Sequence, residues 1–252
     1  MTAIDQLLRD FVKHENLPFV VAMAGNSKGV SYSGASGESA PGRKADDNTV
    51  FRIFSMTKAV GSTAAMMLID RGKLNAETPV EDILPEFANI RVLDRFDGDT
   101  PVMRAPKTKA TIRNLATHTS GLEYEFWNDQ VAKYLSVTGH PSILSGLKSS
   151  LFYPMMTDPG TRWGYGIGID WLGQVVEKID GRRIDKYCRE EIFDQWACRT
   201  RPSNLPMQCA NGWLLWPRAP RMVNSRLSIS RRQLTPKFTE WATRFIRPRR
   251  TI

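Results

Sequence analysis

Ile4, Leu7, Leu8, Phe11 and Val12 recur at helical spacing, so the chain is expected to open with an amphipathic helix. Two short runs follow, PFVVAMAG and GVSYSGASG, apolar or alternating and joined by Asn26-Ser27-Lys28-Gly29. That pattern predicts a β-hairpin. The polar stretch Glu38 to Asp47 reads as a loop, with Asp46 and Asp47 as loop or capping residues. FRIFSMTKAVGSTAAMMLIDRGKL then predicts a buried helix starting near Ser55. Ala59, Ala64, Met67 and Leu68 are its packing residues, and Gly72 fits its stop. Residues 89 to 110 carry several charges and two prolines and read as an excursion, while 125 to 158 is mixed helix and loop. DPGTRWGYGIGIDWLGQVVEKIDG gives a Pro-Gly turn, an aromatic loop and a helix with Leu172, Val175, Val176 and Ile179 on one face. A last helix spans Ile184 to Phe193. No internal repeat is visible. No run of about 18 apolar residues exists to span a membrane.

Composition sharpens this picture in two places. At 252 residues and 41% hydrophobic, the chain can bury one sizeable core, in one lobe or two. The net charge of +9 invites a nucleic-acid partner, but residues 195–252 carry twelve Lys or Arg against one acid, Glu240. Residues 1–194 hold 23 bases and 25 acids, so the basicity belongs to the tail alone. Cys188, Cys198 and Cys209 are odd in number, without C-x-x-C spacing or clustered histidines, and read as free thiols. No metal or cofactor is implied. MTAIDQLLRDFVKHE lacks an apolar run before a small-residue cleavage site, so a cytoplasmic location is expected.

The candidate chemistry lies in Ser55-Met56-Thr57-Lys58, an S-x-x-K at a helix start. Three residues apart on a helix, the two side chains share a face, and Lys58 can reach the Ser55 hydroxyl. A serine hydroxyl is a weak nucleophile until a base takes its proton, and lysine is that base only when burial or a nearby cation disfavours its charge. The helix N-terminus adds backbone N–H groups and a positive dipole where an oxyanion would form. A serine cap with a solvated lysine one turn later is the commoner meaning of this spacing.

The surrounding motifs favour the chemical meaning. FRIFSMTKAVGSTAAMMLIDRGKLNAETPVEDILPEF resembles the beta-lactamase-related serine hydrolases: class C beta-lactamases, penicillin-binding proteins and the carboxylesterases that share their fold. ATIRNLATHTSGL is similar to a second landmark of that family and PGTRWGYGIGIDWLGQVVEKIDG to a third, in the family's order across residues 1–194. The resemblance implies an α+β fold, an antiparallel sheet flanked by helices beside a helical lobe. It implies an acyl-enzyme on Ser55, with Lys58 as base and Tyr165, in Tyr165-Gly166-Ile167, as proton relay. Beta-lactamases usually have Asn where this chain has Ile167, which favours small carboxylic esters as substrates. A beta-lactamase or D-amino-acid peptidase on the same site, and a nucleic-acid binder using the basic tail, are the alternatives. His118, in HTSGL, is expected to hold its loop rather than act as base; His14 and His140 have no motif around them.

The tail departs from the family. FDQWACRTRPSNLPMQCANGW replaces the expected continuation, the late strand of the catalytic set is absent, and four of the seven tryptophans follow residue 195. Read one frame over, Trp196-Ala197 forces glycine, and the following codons permit Met-Pro-Asp-Thr-Ala. LTPKFTEWATRFI permits Asn-Pro-Glu-Ile-Tyr-Gly-Met-Gly-His, with the second Gly forced by Trp241-Ala242. We therefore expect 195–252 to be out-of-frame translation, following a one-base loss near Phe193 to Gln195. The fold would then lack its late strands, and the chain as written would be poorly stable and nearly inactive.

Overall fold

The computed structural model describes residues 2–51 and 53–195. The expectations for the basic tail, its reading frame, Cys198 and Cys209 lie outside the described residues. No helix among the described residues is long and apolar enough to cross a membrane.

Helix α1 (Ala3–His14) begins with a reciprocal cap. The Asp5 N–H donates to Thr2 Oγ1 at 3.2 Å, and the Thr2 N–H donates to Asp5 Oδ2 at 2.6 Å. Strands β1 (Phe19–Asn26) and β2 (Gly29–Ala40) pair antiparallel from Phe19↔Gly37 to Asn26↔Gly29, the predicted hairpin. Asn26 Oδ1 closes its turn by accepting the Lys28 N–H at 2.8 Å, and Gly29 takes a φ of 133° open to glycine. A short β3 (Arg43–Lys44) adds to β2, so the sheet order is β1-β2-β3. The polar stretch after Glu38 is thus partly strand. Helix α1 lies on β2, where Tyr32 donates its hydroxyl to Asp5 Oδ1 at 2.9 Å. No described residue of these three strands is fully buried, and Met23 and Val30 stand 59% and 63% exposed. Among the described residues the antiparallel sheet is incomplete, and much of its surface lacks the cover that gives such strands their stability.

The core lies in the helices. Helix α2 (Thr57–Asp70) follows a 3₁₀ turn at Phe54–Met56 and buries Ala64, Ala65 and Leu68. Short α3 (Val80–Ile83) leads to β4 (Val92–Asp97) and β5 (Thr100–Arg104). The expected excursion is thus a hairpin. Asp94, Arg95 and Asp97 sit on exposed strand positions, and Gly98, at φ 61°, makes the turn that Asp97-Gly98 signals. Helix α4 (Ile112–Ala116) carries a Thr111–Asn114 capping box, and α5 (Asp129–Thr138) is capped by Asn128.

Helix α6 (Gly168–Asp180) is the centre. Its first nine residues, Gly168 to Val176, are all buried, where one apolar face was expected. Helices α2, α4 and α7 (Ile184–Cys188) all pack on it, which leaves no wet side over those turns. Trp171 is fully buried, with Phe87 and Phe152 edge-on at 5.0 and 5.1 Å and its Nε1–H donating to the Leu151 carbonyl at 3.2 Å. Helix α7, carrying buried Cys188, continues into a π turn at Arg189–Phe193.

Candidate active site

Ser55 sits in the 3₁₀ turn ahead of α2, and Lys58 in the first turn of that helix. Phe54, just before the serine, has φ 41°, a left-handed conformation that a bulky residue adopts at a cost of about 1–3 kcal/mol. The strain falls at the elbow that presents Ser55 to solvent. Neither the turn nor α2 has a side-chain cap, so the commoner meaning of the S-x-x-K spacing does not hold here. Instead Lys58 Nζ donates to Ser55 Oγ at 3.5 Å, long as such contacts are before substrate binds. Lys58 Nζ also lies over two rings, 4.9 Å from the centroid of Tyr165 and 5.2 Å from that of Tyr124. Lys58 is thus the meeting point of the three predicted site residues.

Tyr165 is held by a ladder between two irregular segments. The Gly164 N–H donates to the His118 carbonyl at 2.8 Å and the Tyr124 N–H to the Tyr165 carbonyl at 3.1 Å. The Gly166 N–H reaches His118 Nδ1 at 3.4 Å. Glycine at 166 is obligatory for this approach, since a Cβ there would lie 2.1 Å from the Leu122 carbonyl oxygen. The loop is anchored upstream by Asp158. Its carboxylate takes two bonds from Arg104 at 2.7 and 2.8 Å and the Lys107 N–H at 2.8 Å. Those bonds hold Asp158 down at about 2. Tyr165 also stacks on Trp163 at 6.2 Å, so its packing role and its place at the lysine coexist.

His118 adopts φ 57° with its ring 4.8 Å from that of Tyr165. Burial, and then the charge of Lys58, push its pKa down to about 4. A neutral ring that accepts a backbone N–H is a loop brace, as expected from the sequence. Ile167 is fully buried in the core, so its side chain does not line the mouth of the site as its motif position implied. Asp46 is a turn residue that accepts the Asn48 N–H at 3.0 Å. His140 bonds only locally, Nδ1 lying 3.0 Å from the Pro141 carbonyl.

The Beta-lactamase family model matches residues 4–204. The chain belongs to the Beta-lactamase family. Among the members it resembles, monacolin J acid methylbutanoyltransferase of Aspergillus terreus is 30% identical over 200 residues, 75% of this chain and 48% of the relative. Lovastatin esterase of Penicillium rubens is 35% identical over 162 residues, 63% of this chain and 40% of the relative. Unliganded simvastatin synthase (LovD) from Aspergillus terreus superposes with a TM-score of 0.67 at 27% identity, covering 81% of this chain and 57% of that structure. The chain spans half or less of the length of the curated relatives it matches. The beta-lactamase/transpeptidase-like fold expected from the sequence is the one found.

Two groups at this candidate site escaped the sequence. Tyr124 lies against Lys58 and Tyr165, and its hydroxyl donates to Asp170 Oδ2 at 3.5 Å. Asp170 is buried in the first turn of α6, where desolvation lifts its pKa to about 7 against the pull of Lys58. Burial likewise drives the Tyr124 hydroxyl well above its ordinary value. The available signal was the acid itself, one carboxylate within the apolar run GIGIDWLGQVV.

Proposed function

We propose that the chain is an ester-acting serine hydrolase that cleaves small carboxylic esters through an acyl-enzyme on Ser55. The observation that carries this is Lys58 Nζ at 3.5 Å from Ser55 Oγ and wedged against two tyrosine rings. Ser55 Oγ attacks the ester carbonyl as its proton passes to Lys58 Nζ. The tetrahedral oxyanion sits at the N-terminus of the helix. The C–O bond breaks, and the leaving alkoxide takes a proton from Lys58 by way of the Tyr165 phenol. Water then attacks the acyl-Ser55 ester, giving the carboxylic acid and free Ser55.

The relatives support acyl chemistry, since two of them are called an esterase and a methylbutanoyltransferase. Their names also favour a second outcome, in which an alcohol replaces water in deacylation. Exposed Phe54, Met56, Phe126 and Trp163 adjoin Ser55, Tyr124 and Tyr165, and they favour an apolar acyl or acceptor group. The late strand from which the family draws an oxyanion donor is expected to be missing, and that expectation lies outside the described residues. Lacking one such donor costs about 10²–10³ in rate, so stoichiometric acylation is the readout with more margin than turnover. The test is to mix the chain with p-nitrophenyl butyrate and, separately, with a chromogenic cephalosporin. The expected result is a p-nitrophenolate burst that Ser55→Ala abolishes, and little or no lactam opening. Lactam opening faster than ester cleavage would overturn the ester assignment.

A further inference from the structure

We propose that Asp170 is a positioning residue for acyl transfer at Ser55, acting through Tyr124 on Lys58; the inference rests on the hydrolase reading above. Tyr124 touches three groups at once. Its hydroxyl donates to Asp170 Oδ2 at 3.5 Å, its ring carries Lys58 Nζ at 5.2 Å, and its ring centroid lies 5.4 Å from that of Tyr165. Whatever fixes the Tyr124 ring therefore fixes the seat of the lysine. The Tyr124 N–H, bonded to the Tyr165 carbonyl, holds the backbone but leaves the ring free to swing. The Asp170 carboxylate holds the far end of that ring.

The first turn of α6 suits an acid through the helix dipole, but burial opposes its charge. Asp170 lies in a stretch of α6, Gly168 to Val176, that is buried throughout, and burying a carboxylate is unfavourable unless something is gained. The gain is at the proton transfer. When the Ser55 Oγ–H proton moves to Lys58 Nζ, a cation forms against two aromatic faces. Above about pH 7, where Asp170 is ionised, its fixed carboxylate behind one of those rings stabilises that cation without reorganising water. The attraction between Lys58 and Asp170 acts in that sense.

The test separates charge, hydroxyl and fold. Asp170→Asn keeps the shape and one acceptor oxygen but removes the charge; Tyr124→Phe keeps the ring and removes the hydroxyl. The full-length chain and each variant are mixed with excess p-nitrophenyl butyrate. The burst gives a maximal acylation rate and a half-saturating ester concentration. Each variant is expected to lower the maximal rate about tenfold or more while the half-saturating concentration stays within about twofold. The double variant is expected to be no slower than the slower single one. A folded Asp170→Asn chain that acylates at the wild-type rate overturns the proposal. If circular dichroism shows that Asp170→Asn does not fold, Tyr124→Phe decides: a wild-type rate overturns the proposal, and a tenfold loss upholds it. A wild-type chain that gives no Ser55-dependent burst overturns the hydrolase reading and this inference with it. A wild-type burst with unaltered variants overturns this inference alone.

Discussion

Protonating His118 should destabilise the folded chain. The ring is neutral in the folded state because it is buried, lies close to the Lys58 charge and accepts the Gly166 N–H on Nδ1. Its pKa falls from 6.5 to about 4 on folding. Below 6.5 the unfolded chain binds a proton that the native chain refuses, so stability is fully present above that pH and is lost as pH falls toward 4. Each tenfold drop in proton affinity is worth about 1.4 kcal/mol, so the whole window is worth about 3 kcal/mol at most. Solvent at the partly open ring edge brings that nearer about 2 kcal/mol, a large share of the 5–15 kcal/mol typical of a domain. His118→Asn is the matched control. Asparagine tolerates the φ of 57°, offers an oxygen to the Gly166 N–H and does not titrate in this range. Urea unfolding at pH 7.5, 6.0 and 4.5, followed by far-ultraviolet circular dichroism, gives the stability of each form. Asp158, held down at about 2, loses its contribution only as pH falls below 3.8. Asp170 has the opposite sign, stabilising when protonated and losing that contribution as pH rises from 3.8 through about 7. Both are common to the two proteins, so the difference between them isolates the histidine. Wild type is expected to lose about 2 kcal/mol more than His118→Asn on acidification. Parallel losses would refute the assignment of His118 as a buried neutral brace.

Three further outcomes are expected. Gly166→Ala would place a methyl group 2.1 Å from the Leu122 carbonyl oxygen. It should displace Tyr165 and lower the acylation rate by about 10²-fold, whereas an unchanged rate would show that the loop relaxes freely. Leu115→Ala, at a fully buried position on α4 against α6, should cost about 2–5 kcal/mol in urea unfolding; a loss under about 1 kcal/mol would place the core elsewhere. Resequencing the coding DNA across Phe193 to Gln195 should reveal one missing base. A confirmed frame with nothing family-like in the neighbouring frame would leave the basic tail in need of its own explanation.

Much of the fold was legible because its periodicities are local. The α1 pattern, the β1–β2 hairpin with its Asn26-Ser27-Lys28-Gly29 turn, the stop of α2 at Gly72 and the Ser55–Lys58 face all depend on spacing within a few residues. The β4–β5 hairpin was hidden by charge, because neither strand face is apolar enough to alternate visibly. Helix α6 read as one-sided because sequence shows a helix its own faces but not how many partners surround it. In the candidate site, Ser55, Lys58 and Tyr165 stand in motifs, and the structure brings the three side chains together. Tyr124 stands in none, and Asp170 lies in the third landmark without a role read for it: their proximity to Lys58 arises from a ladder joining segments about 40 residues apart in sequence, which no local pattern encodes.

Ser55 as the nucleophile and Lys58 as its base are tested most directly by mass spectrometry of the chain quenched in acid seconds after mixing with p-nitrophenyl butyrate. One butyryl group on the peptide containing Ser55, absent from Ser55→Ala and slowed at least about 10²-fold in Lys58→Ala, is the predicted result. An acyl group spread over surface lysines, or carried equally by Ser55→Ala, would contradict it.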